Sequence, residues 1–203
     1  MPRRRKVGNL LALAVLATLV ERPMHTYEIA SLLRARGKER DMKIKWGSFY
    51  TVVRNLEKHG LLAATGSERM GARPERTVYT ITDPGREELL SWVRELVSTP
   101  EPEQRRFEAG LSVMAVLPPD EVIALLGQRL DHLEAGIAQA RSELDGHRAE
   151  VPRLFLVEVE YDLALREAEA AWVRALLEDL TSGEFPGLDE WAAFHRTGER
   201  SNP

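Results

Sequence analysis

The sequence predicts a mainly α-helical chain in two parts: an N-terminal module of helices with one small β-hairpin, followed by an all-α remainder. Three observations carry this. Charge divides along the chain, with 16 Lys/Arg against 8 Asp/Glu from Met1 to Asp83 (net +8), and 12 against 24 from Pro84 to Pro203 (net −12). Hydrophobic periodicity switches from helical to alternating between Leu61 and Thr82, then switches back. From Phe107 to Leu180 apolar residues recur only at helical spacing. At 203 residues, 43% apolar and 30% charged, the chain has room for one domain or two small ones with their own cores. The absence of cysteine excludes disulfides, thiolate-zinc and iron–sulfur sites and a cysteine nucleophile, and suits the cytoplasm, the expected compartment.

The first element is the apolar run Leu10 to Val20. Arg3, Arg4, Arg5 and Lys6 precede it in the order of a signal peptide. The run is far shorter than the ~20 residues that span a bilayer, and no small-x-small cleavage site follows, so it reads as a buried helix. Glu21-Arg22-Pro23 breaks it. A second helix is expected to be capped by Thr26, with Glu28 in its first turn, an apolar face of Ile29, Leu32 and Leu33, and an end near Gly37. Lys38 to Lys45 reads as a charged connector. The third helix runs from about Gly47 to His59, with Phe49, Val52, Val53 and Leu56 on one face and Gly60 as its stop. Leu61-Leu62 and Thr77 to Thr82 read as strands of a hairpin whose tip is Gly66 to Pro74. Thr82 or Asp83 caps a fourth helix, with Pro84 in its first turn and Leu89, Trp92, Val93, Leu96 and Val97 on one face. This order, three helices, a hairpin and a helix, is that of a winged helix-turn-helix over residues 1–98, with 99–104 as linker.

The expected second domain covers 105–183, before a tail, 184–203, containing Pro186, Trp191 and Phe194. It opens with Phe107, Leu111, Met114 and Leu117 and breaks at Pro118-Pro119. Ile123, Leu126, Leu130, Leu133, Ile137, Ala140 and Leu144 then alternate steps of three and four, the pattern of a coiled-coil seam that needs a partner helix. That partner lies in a second copy or in the same chain; heptads do not say which. A last helix from about Pro152 to Leu180 carries the stripe Leu154, Val157, Tyr161, Leu165, Ala168, Trp172, Leu176 and Leu180, wide enough to pack inside the chain and against a second copy. The expected dimerisation residues are Ile123, Leu126, Leu130, Leu133, Ile137, Leu144 and Trp172.

The third helix divides its surface between core and solvent. Opposite its apolar face stand Thr51, Arg54 and Lys58, flanked by Tyr50 and Asn55. Arg and Asn form paired hydrogen bonds with guanine and adenine edges, while Lys and Tyr reach phosphates. Lys43, Lys45 and Ser48 near the helix start, and Arg69, Arg73 and Arg76 of the hairpin, extend a surface suited to the DNA backbone or a minor groove. An ordinary amphipathic helix beside a solvated hairpin is the plainer alternative. A base-reading Arg54 predicts that Arg54→Ala costs about 1–3 kcal/mol at one base position.

Three stretches carry a family resemblance: Gly47-Ser48-Phe49-Tyr50-Thr51-Val52-Val53-Arg54-Asn55-Leu56-Glu57-Lys58-His59-Gly60-Leu61, Arg73-Pro74-Glu75-Arg76-Thr77-Val78-Tyr79-Thr80-Ile81-Thr82, and Gly85-Arg86. With His25-Thr26-Tyr27-Glu28-Ile29, they make Leu10 to about Leu96 similar to the PadR family of bacterial transcriptional regulators. Two positions depart: Thr26 where the family usually has glycine, and Lys45-Trp46 where a small capping residue and proline are common. The helical remainder resembles the longer PadR subgroup, whose C-terminal domain dimerises. The resemblance implies a homodimer on a two-fold, double-stranded DNA operator, released by a small molecule or another signal. Trp92, Tyr161 and Trp172 are the candidates to line a pocket for a small aromatic effector, though large aromatics at helical spacing are more often core.

Catalysis has little support. Glu158, Glu160, Asp162, Glu167 and Glu169 lack the histidines that recur three residues after glutamates in di-metal bundles, and His25, His59, His132, His147 and His195 are scattered. No nucleophile elbow or phosphate loop is present, and neither metal, cofactor nor membrane is expected. The competing reading is a dimeric winged-helix module that binds protein without sequence-specific DNA binding.

Overall fold

The structure, a computed structural model, describes residues 9–42, 44–68, 76–101 and 106–197. The chain divides into two compact units, Met1–Pro102 and Glu103–Pro203.

The first unit is built on α1 (Leu10–Leu19), whose side chains are apolar all round and buried nearly all round. Asn9 caps it by accepting the Leu11 N–H at 2.9 Å, and the one buried hydroxyl, on Thr18, donates to the Ala14 carbonyl at 2.8 Å. The run preceded by four basic residues is therefore the centre of a core, packed against α2 (Thr26–Ala35), α4 (Phe49–Lys58) and α5 (Asp83–Ser98). The expected cap of α2 is not made. Thr26 is already helical, His25 holds the N-cap position without a side-chain bond, and Glu28 instead accepts from the His25 backbone N–H and the Arg22 guanidinium. The expected charged connector holds a short helix, α3 (Lys38–Asp41), and sends Ile44 into the core. Trp46–Ser48 forms a 3-10 turn, so α4 starts two residues later than its pattern implied, with Phe49, Val52, Val53 and Leu56 buried as expected.

Gly60, at φ +72°, ends α4 in the left-handed region. The wing follows as β2 (Leu62–Glu68) and β3 (Arg76–Ile81), antiparallel, with an irregularity between Ala64 and Gly66. A strand the pattern did not reveal, β1 (Met24–His25), pairs with the other edge of β3 and gives the order β1-β3-β2. Two residues are too few to show a period. Thr82 locks the end of the wing to α5: its hydroxyl accepts the Gly85 N–H at 3.1 Å and donates to the Gly60 carbonyl at 2.7 Å. Gly85 is required there, because a Cβ would lie 2.1 Å from the Leu61 carbonyl oxygen.

In the second unit, α6 (Arg106–Leu111) and a 3-10 turn at Met114–Val116 precede α7 (Pro119–Arg148) and α8 (Val157–Ser182). The helices α7 and α8 run antiparallel, as the cross-pairs Arg141–Glu167 and Glu134–Arg174, both at 2.6 Å, require. The heptad seam finds its partner inside the chain. Ile137 and Leu144 are buried with Leu156, Leu163 and Ala170; Val122 and Leu126 are buried with Val173 and Leu180; Ile123, Leu130 and Leu133 pack against these clusters. The stretch expected as a tail forms α9 (Leu188–Thr197), tied down by Trp191 Nε1 donating to the Leu117 carbonyl at 2.9 Å. The stripe expected on α8 splits: Leu180 is buried, whereas Val157, Tyr161, Leu165 and Trp172 remain exposed.

Candidate nucleic-acid interface

Burying Phe49, Val52, Val53 and Leu56 fixes the rotation of α4, and the remaining positions follow from the 100° step of a helix. Thr51, Arg54 and Lys58 point away from the core and are exposed, with Asn55 exposed on one flank and Tyr50 exposed on the flank toward β3. The same flank carries Glu57, which accepts a hydrogen bond from the Tyr79 hydroxyl of β3 at 3.3 Å. Burial, with the Glu57 charge beside it, pushes the Tyr79 phenol above its ordinary range, and Arg54 opposes this. Tyr79 is thus a neutral donor that ties the wing to α4.

The start of α4 is braced by aromatic packing. Trp46 lies 5.7 Å from Phe49 between ring centroids, and the Arg34 guanidinium of α2 stacks 4.0 Å over the Trp46 ring. Ser48 does not cap α4; its hydroxyl donates back to the Lys45 carbonyl at 2.9 Å and closes the 3-10 turn, and Lys45 is exposed. Lys43, Arg69 and Arg73 lie outside the described residues. Arg76 opens β3 by its backbone, and its side chain is likewise outside them.

Beside α4 the structure opens a cleft of about 510 Å³ that sequence reasoning missed, lined by His25, Thr26, Tyr27, Tyr50, Arg54 and Thr77, with Val53 and Tyr79 at its base. Tyr27 and Tyr50 are 66% and 58% exposed at its rim. The signal that would have found it is the β1–β3 pairing, Met24 to Tyr79 and His25 to Val78, which draws the start of α2 against β3.

Comparison with protein families matches residues 15–91 to the transcriptional regulator PadR-like family. That stretch of the first unit is therefore similar to a PadR-like domain. Solved structures agree in fold. Bacillus subtilis PadR in complex with operator DNA aligns at a TM-score of 0.69 and 19% identity, over 85% of this chain and 99% of that one. The same protein in complex with p-coumaric acid aligns at 0.71 and 18%, with the same coverage. The Vibrio cholerae virulence activator AphA aligns at 0.62 and 21%, over 85% and 98%. Comparison with curated proteins finds no match. The winged helix-turn-helix with a helical C-terminal region, expected from element order, is the fold observed.

The expected effector residues fall in different units, Trp92 in the first and Tyr161 and Trp172 in the second. Trp92 is a core residue of the PadR-like domain, packed among Leu89 and the α1 side chains, so it does not line an open pocket. Tyr161 and Trp172 stand exposed on α8, where Trp172 makes an edge contact with Phe107 at 6.0 Å and Arg129 stacks 3.6 Å over Phe107. Among the described residues no group of three or more His, Asp or Glu is placed to hold a metal ion, and no helix is long and apolar enough to cross a membrane.

Proposed function

We propose that this protein is a homodimeric transcription regulator, a repressor that holds a two-fold DNA operator through α4 and the wing and leaves it when a small molecule or another signal binds. The observation that carries the reading is the exposed face of α4: Thr51, Arg54, Asn55 and Lys58 stand clear of a core that fixes the helix rigidly. These are the side chains that reach base edges and phosphates in a major groove. The net charge of +8 in the first 83 residues favours a polyanion, and the fold likeness to a regulator crystallised on operator DNA points the same way.

Pairing of two copies supplies the spacing that a two-fold operator demands, ~34 Å between recognition helices. The surface suited to pairing is the outer stripe of α8, Val157, Tyr161, Leu165 and Trp172, since the α7 seam is already occupied by α8 of the same chain. An apolar stripe left in water is the usual mark of an interface.

Fluorescence anisotropy with a duplex selected from source-genome fragments, titrated across a salt series, tests the reading. The expected result is an affinity that falls linearly on a log–log plot against salt and a clear preference over random duplex. Absent or salt-insensitive binding would instead favour the winged-helix module that binds protein.

A further inference from the structure

We infer that Arg34 and Trp46 are positioning residues for operator recognition: the guanidinium at the end of α2, stacked on the indole that opens the turn into α4, sets the tilt at which α4 enters the groove. This rests on the DNA-binding reading above and adds to it the device that aims the reading face.

The need for such a device comes from how α4 begins. Its apolar residues fix its rotation about its own axis, and its backbone lies against α1 and β2, hardly against α2. Two usual fastenings are missing from its N-terminus: Ser48 at the N-cap makes no side-chain cap, and the first turn holds no acidic residue to meet the helix dipole. The bond that the Ser48 hydroxyl does make, to the Lys45 carbonyl, stays within the 3-10 turn.

Trp46 supplies the fastening. Its ring leans on the buried Phe49 at 5.7 Å and 52°, Phe49 in turn meets Tyr50 edge-on at 5.4 Å, and the Arg34 guanidinium lies 4.0 Å over the indole. Arg34 stands in the last turn of α2, where a cation also suits the helix dipole. A continuous stack therefore runs from the end of α2 to the first turn of α4, the two helices whose relative angle decides how a helix-turn-helix sits on DNA. The Trp46 N–H is buried and meets no acceptor among the described residues, so the ring is held by packing and by the cation above it. Arg34 is itself exposed and has no part in the core. Base edges are read only when side chains are held to within roughly 0.5 Å, whereas sequence-independent binding rests on charge, which a small tilt leaves in place. Loss of the stack accordingly lowers base discrimination before it lowers general affinity.

The experiment uses the full chain, a selected operator duplex and a random duplex of equal length, and the same chain labelled with 5-fluorotryptophan. Arg34→Gln, which removes the cation from an exposed site, is expected to melt with the wild type, to weaken the operator about threefold with the random duplex unchanged, and to keep the log–log salt slope. Arg34→Lys, which returns a cation to the ring, should recover most of that loss. Trp46→Leu should reduce the preference for the operator about tenfold, and adding Arg34→Gln to it should change nothing further, since a residue that acts through Trp46 has no effect once Trp46 is gone. In the labelled chain without DNA, the fluorine resonance that disappears in Trp46→Leu should be the one that moves in Arg34→Gln. The inference is overturned if Arg34→Gln weakens both duplexes equally and lowers the salt slope, which would make Arg34 a phosphate contact; if Arg34→Gln binds as the wild type does; or if its loss adds in full to that of Trp46→Leu. The Arg34 variants decide the matter even where Trp46→Leu fails to fold. A wild type that binds neither duplex sinks the DNA-binding reading and this one with it; normal wild-type binding with any of the three previous results sinks this one alone.

Discussion

The two units bury their cores in the same way and leave opposite surfaces behind. The PadR-like domain closes on α1 and exposes Thr51, Arg54, Asn55 and Lys58 on its recognition helix, a polar and cationic face. The C-terminal unit closes the α7–α8 seam and exposes Val157, Tyr161, Leu165 and Trp172, an apolar face. On the function proposed above, each face meets its own partner: a polyanion in the first case, a second copy of the chain in the second. The most regular heptads in the sequence belong to the covered face, so regularity marks the need for a partner and says nothing of whose chain supplies it.

The sharpest way to break that comparison is to place a charge on each apolar face of the C-terminal unit. Ile137→Asp buries an uncompensated carboxylate in the seam and should destabilise the unit by about 3–5 kcal/mol, read as lost helicity in thermal melts. Trp172→Asp, at a site 50% exposed, should keep the melt near that of the wild type while shifting sedimentation equilibrium toward single chains. Equal melting losses in the two variants would erase the distinction between the faces.

Glycines give the next contrast. Gly85→Ala in the PadR-like domain forces a methyl against the Leu61 carbonyl and should cost about 3 kcal/mol, because backbone cannot yield as a side chain does. Gly136→Ala in the middle of α7 meets only the flexible tip of Arg166, at 3.3 Å, and should raise stability by about 0.5–1 kcal/mol, because alanine favours a helix interior over glycine. A smaller step, Thr82→Ala, removes the cap of α5 and should cost about 1 kcal/mol.

The faint end of the scale is pH. The hydrogen bond from Arg36 holds the Glu21 carboxyl below the usual glutamate range, and that from Arg22 does the same for Glu28. A folded-state value below the unfolded one stabilises above the ordinary glutamate range, and this stabilisation is lost as pH falls through the folded value. Both pairs are largely exposed, so the effect is small. Glu21→Gln should melt slightly below the wild type at pH 7 and level with it well below the glutamate range; an equal gap at both would contradict the assignment.

These contrasts also show where the sequence is legible. The buried run of α1, the apolar face of α4, the wing strands and a cap at Thr82 or Asp83, of which Thr82 makes it, could be read because each is set by local period or local chemistry, as with Phe49, Val52, Val53 and Leu56. The strand β1 could not, since two residues become a strand only when β3 lies alongside, and with it went the cleft that β1 assembles. Thr26 was expected as a cap on residue type, but the chain enters α2 one residue earlier and Glu28 takes over that end of the helix. Trp92 and Trp172 look alike in sequence, and only tertiary packing makes one core and the other surface.

Sedimentation of the full chain with a fluorescently labelled selected duplex, at protein concentrations above the pairing threshold, tests most directly that cationic helices are set on DNA by an apolar clasp between two copies. Two chains per duplex for the wild type, with Trp172→Asp failing to form that species, is the result the account predicts. A complex of one chain per duplex, or a two-chain complex indifferent to Trp172→Asp, would contradict it.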